Sequence, residues 1–344
     1  MKKHLWLLIM LTLVGAAFFF LFFGKKEISP RKIIQKQTEE LPMAKKKEKE
    51  EAFDPISIPA FAEKKFDGHD FKIGNVLEKN TDYTRYFISY ESAGLTISGI
   101  MNVPQGPGPF PVLFLNHGYI DPDIYTNGRG LKREQDYLGR RGYVVIHSDY
   151  RNHAQSDKEP DETIPDMRFG YAEDVVNGIL ALQKADLPYV AKGKIGMLGH
   201  SMGGGVAQII AVAKPELVKA FVLFAPVSAD QKDNYEKWIK NDPERESKNI
   251  ARFGLPEDNQ ALWKNASPIN FFDRVTSPII FQHGTADRDV PLEWSERAVK
   301  ALETKGKTVR LYAYLGEPHE FTDAWPTVMK RTLDFFDKYV KEIK

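Results

Sequence analysis

From residue 83 onward the apolar positions of this chain follow two rhythms. Residues 83–91, YTRYFISYE, and 94–104, GLTISGIMNVP, alternate apolar and polar side chains, which predicts two antiparallel strands with one covered face. The next run, PVLFLNHG at 111–118, is solidly apolar, and GYVVIHSDY, KIGMLG, KAFVLFAP, SPIIFQHG and TVRLYAYLG repeat its character. Such runs suit a parallel sheet covered on both faces. Between them the apolar spacing becomes helical over 131–141, 167–185, 202–213, 292–304 and 321–341. The alternation predicts an α/β fold, a mostly parallel doubly covered sheet with its site at the carboxyl ends of the strands. One stretch breaks it. Residues 229–275 are charged and carry Tyr235, Trp238 and Trp263, and they predict a small helical cap inserted over the site.

The amino-terminal pattern is different in kind. Residues 5–23, LWLLIMLTLVGAAFFFLFF, carry no charge and are flanked by lysines. At about 1.5 Å per helical residue this run nearly crosses a hydrocarbon layer of about 30 Å. It predicts a transmembrane helix, a signal anchor over 1–24, with a cleaved signal peptide as the alternative. The expected localisation is membrane-anchored with the catalytic domain outside the cytoplasm, or secreted if the segment is cleaved. Residues 25–65, rich in charge and proline, predict a flexible linker, which leaves 66–344 as the folded domain.

Composition narrows the function classes. The 344 residues suffice for one large core or two modest ones, and a net charge of +1 without a basic face excludes the footprint of nucleic-acid binding. Cysteine is absent, which excludes disulfides, thiolate metal sites and a cysteine nucleophile.

The chemistry concentrates at GHSMG, residues 199–203, a G-x-S-x-G sequence that follows a strand-like run and opens a helical one. That context is the one a nucleophile elbow requires, and it makes Ser201 the candidate nucleophile. A serine hydroxyl attacks an acyl carbon only when a base takes its proton. After the last strand-like run, YLGEPHEF offers His319 as that base, and FQHGTADRDVP offers Asp287 or Asp289 as the carboxylate that orients it. The developing oxyanion calls for preorganised donors. The Met202 N–H is one candidate, and Tyr119, through its N–H or its hydroxyl, is the other. His200 and His283 read as packing and backbone-fixing residues, and His147 and His153 as structural. No metal-ligand spacing such as H-E-x-x-H occurs, so a catalytic metal is not expected.

With "GHSMGG", "NASPINFFDRVTSPIIFQHGTADRDVP" and "YLGEPHEF" in this order, the chain resembles the α/β-hydrolases, specifically the prolyl oligopeptidase catalytic domain and dienelactone-hydrolase-like esterases. The resemblance covers about 83–341. It implies an α/β-hydrolase fold with Ser201 as nucleophile, Asp287 rather than Asp289 as the acid, His319 as base, and Met202 with the Tyr119 region lining the oxyanion hole, and it implies no cofactor. The expected substrate is a small carboxylic ester cleaved through an acyl-enzyme. The alternatives are a serine peptidase acting on short peptides or aminoacyl amides, and a non-catalytic binding protein. Trp238, Trp263 and Trp325 are candidates for an acyl or aromatic subsite, or for core packing.

Overall fold

A computed structural model describes residues 53–159 and 166–342, and among them one nine-stranded sheet. Strands β1 (His69–Lys79), β2 (Tyr83–Ser92) and β3 (Leu95–Pro104) pair antiparallel. β3 joins, again antiparallel, β5 (Val144–Ser148). From there β4 (Phe110–Asn116), β6 (Val190–His200), β7 (Ala220–Phe224), β8 (Ile279–Gly284) and β9 (Val309–Tyr314) continue in parallel, in the order β1-β2-β3-β5-β4-β6-β7-β8-β9. β1 has no counterpart in the sequence expectation. Its side chains are almost all exposed, so HDFKIGNVLEK shows no buried periodicity and forms an edge strand by backbone pairing with β2.

The solid apolar runs of β4, β5, β7 and β8 are buried almost along their length because alternate residues serve opposite layers, whereas TVRLYAYLG forms the edge strand β9, of which only Tyr314 is buried. Val112, Phe114, Met197, Leu223 and Phe281 face a layer built from helices α1 (Ile58–Glu63), α3 (Phe169–Lys184), α4 (Met202–Ala213) and α8 (Leu292–Thr304). Leu113, Leu115, Leu198, Val222 and Ile280 face the other layer, on α2 (Lys132–Gly139) and α9 (Trp325–Phe336). This is the α/β-hydrolase arrangement. Between β7 and β8 the chain forms α5 (Gln231–Trp238), α6 (Pro243–Phe253) and α7 (Gln260–Ala266), packed around Tyr235, Phe253 and Trp263. Asp230 and Asp242 cap the first two of these helices through their carboxylates.

Two expectations about the amino-terminal region meet the structure differently. α1 lies inside 25–65, the segment read as linker. Ser57 caps it, and Ile58 and Phe61 are buried in the main core. The transmembrane helix is corrected, and with it the membrane-anchored localisation and the membrane as partner. Among the described residues no helix is long and apolar enough to cross a membrane, and residues 5–23 lie outside the described residues. The physical reason is length and pattern: α3 has 16 residues, about 24 Å at the helical rise, and ends in charge.

Candidate active site

Four strand ends converge here: β4, β6, β8 and β9 all release their loops at the carboxyl edge of the sheet. At the end of β6 the chain turns through Ser201 with φ 54° and ψ −119°, a strained conformation for a residue with a side chain. The Ser201 N–H donates to Phe224 O (2.9 Å), and its carbonyl accepts from Gly204 (2.9 Å) and Val227 (3.1 Å). The turn also demands its glycines. A Cβ on Gly203 would stand 2.1 Å from Asn116 O, and one on Gly199 2.4 Å from Gly203 O.

The candidate base and the candidate acid are joined. His319 Nδ1–H donates to Asp287 Oδ2 at 2.7 Å, which leaves Nε2 as the acceptor. Asp287 Oδ1 accepts the N–H groups of Asp289 (2.8 Å) and Val290 (2.9 Å). His283 completes the set: its Nε2–H lies 3.0 Å from Val290 O and 3.1 Å from Asp287 Oδ2, while its Nδ1 is 2.8 Å from Ser295 Oγ. Burial raises the Asp287 pKa, but donation from His283, His319 and Val290 outweighs it and holds the carboxyl well below the usual range. Asp289, the other sequence candidate, is exposed and only lines the cavity. Ligand atoms of Asp287, Asp289 and His319 come within 4.8 Å of one another, as a metal site would need. Both Asp287 oxygens are already engaged by donors, so the cluster fits the orienting role better.

The loop after β4 passes beside Ser201, the candidate nucleophile, where a Cβ on Gly118 would lie 3.2 Å from Ser201 Cβ. Tyr119 follows it, with its side chain 69% exposed at the cavity. Across from it the Met202 N–H belongs to the first turn of α4, where no intrahelical acceptor is available. His117 supports this loop from beneath, stacked on Tyr125 and Tyr150 with its Nδ1 2.7 Å from Gly118 O. Burial lowers its pKa to about 3, so the ring is neutral.

Ser201, His319, Tyr119 and Met202 line one cavity of about 790 Å³, roofed by α5–α7. Trp238 and Trp263 line it too. Trp325 does not: its indole donates to Glu134 Oε1 (2.6 Å) beside α2. His200, read as packing, packs against the base itself, its ring centroid 4.5 Å from that of His319. Asp149 and Arg151, two positions apart after β5, take separate partners. Asp149 accepts from Ser98, Tyr125, Asn127 and Gly128, whereas Arg151 pairs with Asp174, Glu173 and Glu159.

Sequence reasoning passed over residues that hold the base in place. Glu317, buried in the loop after β9, accepts the N–H groups of Thr322 (2.6 Å) and Ala324 (2.9 Å). Arg133 donates to the carbonyls of Glu320 (2.6 Å) and Phe321 (3.3 Å). An acid two positions before the histidine was the available signal for Glu317; Arg133, 186 positions from His319 in sequence number, gave none.

Comparison with known proteins bears on the family and the fold. The prolyl oligopeptidase family model matches residues 130–342, more than half of the chain. An uncharacterized peptidase of Bacillus subtilis (strain 168), YtmA, is 25% identical over 237 residues, covering 69% of this chain and 86% of its own. The Pyrococcus horikoshii acylaminoacyl peptidase superposes with a TM-score of 0.63 at 19% identity, over 77% of this chain and 43% of its own. Acetyl xylan esterase from Paenibacillus sp. R4 does so with a TM-score of 0.62 at 18% identity, over 82% and 92%. The chain thus spans less than half of the matched Pyrococcus peptidase, and 36% of a putative dipeptidyl aminopeptidase IV from Bacteroides ovatus. At such identities the structural matches speak for the fold, while the family match rests on the sequence. On that match, the chain is a serine hydrolase and belongs to the prolyl oligopeptidase family.

Proposed function

We propose that the chain cleaves the acyl bond of a short peptide or aminoacyl derivative through an acyl-enzyme on Ser201. The observation that carries this is the 2.7 Å bond from His319 to Asp287 in the cavity that also holds the strained Ser201 turn. Ser201 Oγ attacks the carbonyl carbon as His319 Nε2 takes its proton, and Asp287 stabilises the imidazolium that results. The N–H groups of Met202 and Tyr119 receive the oxyanion. His319 then protonates the leaving amine or alcohol, and afterwards activates the water that releases the acid.

The cavity supports a small substrate. At about 790 Å³ it lies within the range of about 300–1,000 Å³ usual for small-molecule sites. The peptidase family and the peptidase name of the Bacillus relative support an amide. One observation favours esters as a second reading: the Paenibacillus acetyl xylan esterase aligns over 92% of its length, so its size is close to that of this chain.

The test is hydrolysis of alanyl- and prolyl-p-nitroanilides beside p-nitrophenyl acetate and butyrate by the full chain, with Ser201→Ala as control. Serine-dependent anilide cleavage supports the peptide reading, and ester turnover alone supports the second. Folded protein that cleaves neither, and whose Ser201 takes no fluorophosphonate label, refutes both.

A further inference from the structure

The cavity holds a cation that the hydrolytic steps do not use. Arg168 precedes α3 in a left-handed conformation, φ 74°, held by donation of its own N–H to Asp166 Oδ1 (2.8 Å). Its side chain meets the cap, where Nη2 donates to Gln231 Oε1 (2.5 Å) on α5. Nε is buried and has no hydrogen-bond partner, and no carboxylate stands at ion-pair distance among the described residues. Asp166 acts on it only through its charge, since its two oxygens accept the Arg168 and Gly170 N–H groups (2.8 and 2.6 Å) and make no hydrogen bond to the guanidinium. Burial lowers the Arg168 pKa to about 10, partly offset by Asp166 and Tyr171. A half-buried guanidinium whose Nε is sequestered without a partner, and whose side-chain partner is a neutral amide, is costly, and an anion bound in the cavity would relieve that cost.

Its location relates it to the nucleophile. A Cβ on Gly205 would stand 3.1 Å from Arg168 Nε and 2.6 Å from Val227 Cγ2, so the guanidinium lies over the first turn of α4. Gly205 belongs to that first turn, four residues after Ser201, whose own carbonyl accepts the Gly205 N–H (3.3 Å). The leaving group must sit by His319 to receive its proton. Arg168 is tied instead to Gln231 on α5 and packs against the first turn of α4, with no contact to His319.

We infer that Arg168, steadied by Gln231, is a specificity residue that binds a carboxylate carried by the acyl part of the substrate, such as an acidic side chain or a dicarboxylic half-ester. The inference rests on the acyl-enzyme reading above.

The experiment compares kcat/KM for p-nitrophenyl hemiglutarate with that for p-nitrophenyl valerate, its uncharged counterpart of equal chain length. The full chain should prefer the hemiglutarate by about tenfold or more, the worth of a charge-assisted hydrogen bond. Arg168→Gln should remove that preference, with most of the loss in KM for the anionic ester, and Arg168→Lys should restore part of it. Equal preference in the full chain, or a preference kept by folded Arg168→Gln, would overturn the inference. Valerate turnover without anion preference sinks only the role of Arg168, whereas no serine-dependent turnover of either ester counts against the hydrolase reading. In that last case glutarate alone decides: it should raise the melting temperature of the full chain and not of Arg168→Gln. No rise in either overturns the assignment. Should Arg168→Gln fail to fold, a salt titration of the full chain replaces it. The preference for hemiglutarate must then shrink as ionic strength rises, and an unchanged preference refutes a charge contact.

Discussion

Mild acid should destabilise this fold well before its carboxylates titrate. His117 and His200 are buried, and burial lowers both pKa values from 6.5 to about 3, with nearby histidines adding to the effect. Each ring is neutral in the folded chain and free to protonate in the unfolded one. The sign follows from linkage: below pH 6.5 the unfolded state binds protons that the folded state does not. Stability is therefore complete above about pH 6.5 and is lost as pH falls towards 3. One pH unit is worth about 1.4 kcal/mol per group, so at about pH 5 each ring costs about 2 kcal/mol and the pair about 4. That is a large part of a typical folding stability of about 5–15 kcal/mol. His147, also buried and shifted the same way, adds to the loss. Burial raises the carboxyls of Asp149, Asp174 and Glu134, which act with the opposite sign, so the histidine share is isolated by difference. The assay is urea unfolding followed by tryptophan fluorescence between about pH 5 and 8, for the full chain and for His200→Gln. The variant's stability should fall less steeply, by about 1.4 kcal/mol per pH unit below 6.5. Parallel slopes for the two proteins would refute a neutral buried His200.

Two further outcomes follow from the site. Asp287→Asn removes the carboxylate that fixes the His319 tautomer and should lower kcat by about 10⁴ while leaving KM much less changed, read by steady-state kinetics on an activated ester. Gly203→Ala forces a Cβ to 2.1 Å from Asn116 O and should cost more than about 3 kcal/mol or prevent folding, whereas Gly193→Ala, with open space around it, should unfold within about 1 kcal/mol of the parent in urea.

The parts of this molecule that were legible in sequence are those where local pattern and global role coincide. Solid apolar runs became central strands because both faces of the sheet are covered, and GHSMG became a tight turn because no Cβ fits at its glycines. Asp287 and Asp289 were two positions apart, and the residues alone could not separate them. In space one accepts from His319 and the other faces solvent. β1 was missed since an exposed edge strand is held by backbone bonds that leave no periodic trace. His283, Glu317, Arg133 and Arg168 were missed or underrated because their roles depend on partners that tertiary folding brings to them.

The short helix α1 alters where the catalytic unit begins. Ile58 and Phe61 fill the layer beneath α4, and Lys214, just past the end of that helix, donates back to Ala62 O (2.6 Å). Three residues before its cap, Asp54 receives both arms of the Arg252 guanidinium (3.0 and 3.1 Å) from α6 of the cap. The same dozen residues therefore plug the floor of the nucleophile helix and moor the roof of the cavity. A boundary drawn at residue 66 would unseat both at once, so the lead-in peptide is a structural strut of the site and not merely its leash.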